Sequence, residues 1–165
     1  MSLDITIISP EPRIVKSTGI FIRDNGSTRE ATPEECLTHF PDVFHVIDEV
    51  PIQEYETNEY WSGNITHNLT EMAEDCLSFE EEYQHYNLYD LLWRDTQVPF
   101  TGVYLNIYIA HLAYCLYVLK NDPDHFKQFN PENGWGTYEQ LCNFVEEFIK
   151  ALVTMPEGSH IEYSL

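Results

Sequence analysis

His67 and Glu71 stand four residues apart in the stretch NITHNLTEMAEDC, residues 64–76, with Glu74 close behind. On one helix face an H-x3-E pair could share a metal ion, since imidazole nitrogen and carboxylate oxygen are both ordinary ligands. Two ligands are too few, and no H-E-x-x-H and no cysteine pair supplies more. His67 is therefore read first as a capping or surface residue and second as a ligand contact, and no metal or cofactor is expected. Asn64 and Asn68 are read first as helix caps. Amide side chains beside the free N–H groups of a helix start could also meet an anion or the polar edge of a ligand. Arg94 is the only Lys or Arg between Arg29 and Lys120. In such acidic surroundings it is expected to pair with a carboxylate, or else to anchor a ligand's carboxylate or phosphate. Trp93 beside it is read as core.

NGWGTYE, residues 133–139, is a shaped loop in which Gly134 and Gly136 permit close backbone approach and Trp135 stands just before a helix start. Either Trp135 closes the core, or it forms a lid over a ligand. The loop is not a phosphate-binding one, because no Lys follows the glycines and the G-x4-G spacing is absent. His111 and Cys115, one turn apart on the most apolar segment, are read as satisfied core groups. No serine elbow, activated cysteine or dinucleotide fingerprint appears, so no catalytic residue is assigned. Glu34-Glu35 and Glu80-Glu81-Glu82 are read as solvated faces.

These residues belong to a chain of 165 amino acids, a length read as one domain able to bury roughly 70% of its unfolded surface. Apolar content of 43% is that of a globular protein, and the formal charge of −20 is the outlying quantity. Such a field repels nucleic acid and anionic membranes and favours basic partners. From Glu30 to Trp93 there is no Lys or Arg but sixteen Asp and Glu. The four cysteines, Cys36, Cys76, Cys115 and Cys142, form no CxxC pair and each has apolar neighbours, so they are read as reduced core thiols. No signal segment opens the chain, the sequons at Asn25, Asn64 and Asn68 have no secretory context, and the expectation is a cytoplasmic protein.

LDITIIS alternates as a strand, and RIVKSTGIFIRDNGST reads as further strand with a turn at Asp24-Asn25-Gly26. TPEECLTHF starts a helix with Thr32 as cap and Pro33 at its first position. FHVIDEVPIQEYE leans to strand, with Pro51 confining it to an edge or breaking it. Ile65, Leu69, Met72 and Cys76 make one stripe of a helix beginning at Asn64, with Asn68 and Glu71 a competing capping pair and His67 opposite the stripe. SFEEEYQHYNLYDLLWR continues helically, with Phe79, Tyr83 and Tyr86 on one side and Leu88, Leu91 and Leu92 after a kink. Residues 101–120 are apolar nearly all round and predict a central buried helix rather than a membrane span. NDPDHFKQF is a short helix capped by Asn121 or Asp122, and NPENG is a turn. Thr137 and Gln140 open an amphipathic last helix, and HIEYSL is a final strand. The sum is an α+β domain, with a small antiparallel or mixed sheet from both chain ends and four to five helices from the middle.

NITHNLTEMA, LYDLLWR and NPENGWGTYEQL, in this order, resemble a family of small uncharacterised proteins from bacteria and their phages, over roughly residues 60–165 and the first strand. The resemblance implies a fold group and a bacterial or phage origin, and no activity. Against that pattern residues 10–58 look like an acidic insertion, and the 101–120 helix is unusually apolar. The first reading of function is a non-enzymatic interaction protein whose acidic surface meets a basic protein partner. The alternative is a small-ligand site or enzyme in which Asn64, His67, Asn68, Arg94, Trp135 and Tyr138 converge. A third is an assembly subunit touching others through the apolar helix.

Overall fold

The computed structural model describes residues 2–24, 27–44, 50–81, 84–93 and 103–164. In chain order the elements are β1 (Ser2–Ser17), β2 (Phe21–Asp24), β3 (Ser27–Glu30), α1 (Pro33–His39), β4 (Gln53–Thr66), α2 (Thr70–Asp75), β5 (Leu77–Glu81), β6 (Gln84–Asn87), α3 (Leu88–Leu92), α4 (Val103–Asn121), α5 (Pro123–Phe126), α6 (Tyr138–Thr154) and β7 (His160–Ser164). The class is α+β, and the chain divides into two compact units, Met1–Pro10 with Glu59–Leu165, and Glu11–Asn58.

In the larger unit β1 lies between β4 and β7, so both chain ends meet in one sheet. β7 runs antiparallel to β1 with Ile5 opposite Tyr163 and Ile8 opposite His160. Strand alternation turns Leu3, Ile5 and Ile7 inward, each nearly or wholly buried. The last helix behaves as its stripe requires. Thr137 accepts a hydrogen bond from the Gln140 amide, and Leu141, Phe144, Val145, Phe148 and Leu152 are buried along one face. Trp61 of β4 stacks on Phe148 with centroids 5.2 Å apart and meets Phe144 edge-on. Gly63 makes room for this, since a Cβ there would lie 2.5 Å from the Trp61 ring and 2.8 Å from Phe144.

Two helical expectations are corrected. Residues 64–66 end β4 rather than begin a helix, and the β-branched Ile65 and Thr66 suit a pleated strand. Asn64 is therefore not a cap; the Thr66 side chain accepts from the Asn68 amide, opening a 3-10 turn over His67–Leu69 that leads into α2. The stripe itself survives, with Ile65, Leu69, Met72 and Cys76 all buried. Leu77–Glu81 and Gln84–Asn87 are the paired strands β5 and β6 instead of a helix. Phe79 of β5 stacks on the His111 ring at 4.0 Å and Tyr86 of β6 meets the same ring edge-on at 5.0 Å, so packing on α4 overrides the helical spacing. Tyr83 lies outside the described residues, while Leu88, Leu91 and Leu92 are buried on α3 behind the cap of Asn87.

α4 packs against α6 and β5 but is not enclosed. Tyr108, His111, Leu112, Cys115 and Leu119 face inward, whereas Tyr104, Tyr114 and Tyr117 are exposed. Tyrosine suits such a boundary, because its ring is apolar and its hydroxyl stays hydrated. Among the described residues no helix is long and apolar enough to cross a membrane.

The smaller unit holds the β2–β3 hairpin, in which Asp24 pairs with Ser27, and α1. Thr32 and Glu35 form a reciprocal capping box with Pro33 just inside the helix. Pro51 stands before β4, and residues 45–49 of the strand-leaning stretch lie outside the described residues. The acidity is not concentrated here: residues 11–58 carry ten acidic and four Lys or Arg residues, against eighteen and four in the longer remainder.

Candidate functional site

Of the six residues proposed from sequence, the fold brings some together. The Asn68 side-chain amide donates to the Trp135 carbonyl at 3.1 Å. Gly136 allows this approach: its φ is +108°, and a Cβ there would lie 2.7 Å from Thr66 and 2.9 Å from Leu69. The half-buried His67 ring lies 6.2 Å from that of the buried Trp93. Trp135 does not close the core, being 61% exposed.

The other members are placed differently. The Asn64 amide donates to the Asp4 carboxylate on β1, a cross-strand contact. Tyr138 is buried with its hydroxyl donating to the Leu119 carbonyl at 3.0 Å, so it ties α6 to α4 and is unavailable to a ligand. Burial, with the nearby Cys142, pushes its pKa well up and keeps that donor protonated. Arg94 lies outside the described residues.

A second constellation was not singled out from sequence. A groove of about 480 Å³ is lined by Asp75 at the end of α2, Leu77 and Ser78 of β5, Tyr114 and Tyr117 of α4, and Asp122 and His125 around the start of α5. His125 Nε2 and Asp75 Oδ2 are 2.6 Å apart. Asp122 Oδ1 accepts from the His125 amide at 3.2 Å, the N-cap bond expected of NDPDHF. Tyr114 and Tyr117 stand 6.1 Å apart at 47°, and Tyr114 is braced edge-on by Phe79. Exposures of 42% and 62% leave both tyrosines, and the 58% exposed Leu77, open to a partner. Signals for this groove were present in the i, i+3 tyrosines Tyr114 and Tyr117 of the apolar helix and in the D-x2-H spacing, but helix and hairpin meet only in the fold.

The groove's floor is structural. Ser78 Oγ lies 2.8 Å from His111 Nδ1 and 3.4 Å from the His111 carbonyl, holding β5 on α4. Behind it the Cys76 thiol donates to the Cys115 carbonyl at 3.4 Å; the Cys115 thiol and burial push the Cys76 pKa up, away from reactive thiolate. All four cysteines are free and buried. Among the described residues no group of three or more His, Cys, Asp or Glu could hold a metal. What the groove can do chemically is bind: two carboxylates, two aromatic faces and an exposed leucine make a concave, negative, partly apolar surface.

No protein-family model, curated protein or solved structure matches the chain. Function rests on the chain's own chemistry.

Proposed function

We propose that this is a non-enzymatic binding protein of bacterial or phage origin whose acidic surface engages a basic protein partner in the cytoplasm. The observation that carries the reading is the state of five of its eight Lys and Arg residues. Lys120 pairs with Glu146, Lys127 with Glu139, and Lys150 with Glu146 and Glu147. Lys16 pairs with Glu54, and Arg29 with Asp24 and Glu35. These exposed pairs contribute little to stability. They do neutralise cations that would repel a basic partner, while 28 acidic residues stand against only 8 Lys and Arg. The NITHNL, LWR and NPENGWG segments support the bacterial or phage origin, and four buried free thiols suit a reducing compartment.

Titration of the whole chain with arginine-rich and lysine-rich peptides, followed by calorimetry over a salt series, tests this reading. Saturable binding that weakens steeply with salt, with no binding to duplex DNA, is the expected result. Equal binding to DNA, or none to the cationic peptides at low salt, overturns it.

A second reading, a small-ligand site around His67, Asn68 and Trp135, is favoured by one observation. Trp93 Nε1, next to His67, is buried without a hydrogen-bond partner among the described residues. A buried donor left unpaired is costly, and a ligand acceptor would satisfy it. A thermal-shift screen of small polar molecules with parent and Trp135→Ala decides: a hit lost in the variant supports the site, and an identical hit list in both removes it.

A further inference from the structure

We infer that the groove between β5, α4 and the start of α5 seats an arginine side chain of the basic partner. The inference rests on the acidic-binding reading above and names its site and the chemistry it reads. Charge complementarity selects the occupant: Asp75 and Asp122 are the carboxylates of the groove, and among the described residues no Lys or Arg lines it. Asp75 gives Oδ2 to His125 and Asp122 gives Oδ1 to the α5 cap, so each retains a second oxygen with which to accept from an incoming donor. The aromatic lining selects among cations. The rings of Tyr114 and Tyr117 are exposed, 6.1 Å apart and inclined at 47°, which offers a ring face to a flat cation. A guanidinium is planar, stacks on aromatic rings and spreads five N–H donors in a fork that two carboxylates can share. The ammonium of lysine is a compact, strongly hydrated point charge that uses neither feature as well. Leu77, 58% exposed beside the carboxylates, supplies apolar surface for the side chain's methylene stem. The walls are firm: Tyr114 is held by Phe79, and β5 is tied to α4 through Ser78 and His111.

The test uses the full chain and two probe peptides, a Gly-Arg repeat and its Lys counterpart. Tyr117→Ala and Asp75→Asn alter the groove. Tyr104→Ala removes a tyrosine of similar exposure absent from the groove lining, and Glu157→Gln removes one exposed charge elsewhere. Far-ultraviolet circular dichroism checks that each variant keeps its fold. Expected are tighter binding of the Arg peptide than of the Lys peptide, and a loss of about tenfold in Arg-peptide affinity for each groove variant. Each control should stay within about twofold. If all four variants behave alike while the parent still binds in a salt-dependent way, the groove assignment falls and the acidic-binding reading stands. If the Lys peptide binds as tightly as the Arg peptide, the guanidinium assignment falls. If the parent binds neither peptide at low salt, both fall together.

Discussion

In the larger unit Leu3, Ile5, Leu69, Leu112 and Phe148 belong to one continuous buried cluster. Among the described residues of 11–58 the corresponding cluster has three buried members, Ala31, Cys36 and Val50. Yet the two units are similarly acidic for their lengths. Negative charge therefore does not distinguish them, and the means of holding a fold together does. The smaller unit relies on polar clamps. Glu30 Oε1 accepts from the Ser17 hydroxyl at 2.7 Å, from the Thr18 amide and from the Gly19 amide at 3.2 Å. Partial burial alone would raise the Glu30 pKa; the hydrogen bonds from Ser17, Thr18 and Gly19 outweigh it and leave the carboxyl below its usual range. Arg29 grips Glu35 with two guanidinium nitrogens, at 2.8 Å and 2.5 Å, and Asp24 with a third. Among its described residues this segment buries little apolar surface, so the part-buried hydrogen bonds to Glu30 carry more of its stability, while the exposed Arg29 pairs add little.

The contrast breaks most directly at Phe148, fully buried against Trp61, Tyr108 and Phe144. Phe148→Ala is expected to cost about 3–5 kcal/mol in urea unfolding. Val50→Ala in the smaller cluster should cost clearly less, and an equal cost would show that both units depend on their cores alike.

Glu30→Ala leaves the buried Ser17 and Thr18 donors without their acceptor, at a cost of about 1–3 kcal/mol. Hydrogen exchange at the Thr18 and Gly19 amides reads it: their protection should collapse, whereas unchanged protection would remove the clamp from the account.

Capping sharpens the comparison further. Thr32→Ala and Thr137→Ala each delete one side-chain cap, worth about 1 kcal/mol. The same loss should fray α1, whose one buried residue is Cys36, and leave α6 helical, because eight buried side chains hold it. Equal fraying of the two helices by exchange would contradict this.

The smallest effect is electrostatic. Hydrogen bonds from Arg29 hold Glu35 down to about 2, well below the ordinary carboxylate range. Its folded value lies below its unfolded one, so its contribution is fully present above the ordinary range and disappears as pH falls through about 2. The Glu35 side-chain carbon shift should titrate there, and Arg29→Gln should return it to ordinary values.

The sequence by itself determined the elements whose signals are local. Alternation in LDITIIS set the inward row of Leu3, Ile5 and Ile7, and cap chemistry at Thr32, Asp122 and Thr137 started three helices where expected. Even where secondary structure was misread, burial was legible, because Ile65, Leu69, Met72 and Cys76 are inside whether Ile65 lies on a strand or a helix. The candidate site was legible only in part: Asn68 meets Trp135, but Tyr138 turns inward, and Asp75, Tyr114 and Asp122 of the groove belong to separate elements. Tertiary structure alone decided that β4 extends to Thr66 and that Leu77–Glu81 and Gln84–Asn87 pair as strands. Both segments have apolar spacings compatible with either period, so the deciding energy comes from partners distant in the chain: β1 for one, and the His111 face of α4 for the other. A groove shared by α2, β5, α4 and α5 likewise exists only once those partners have met.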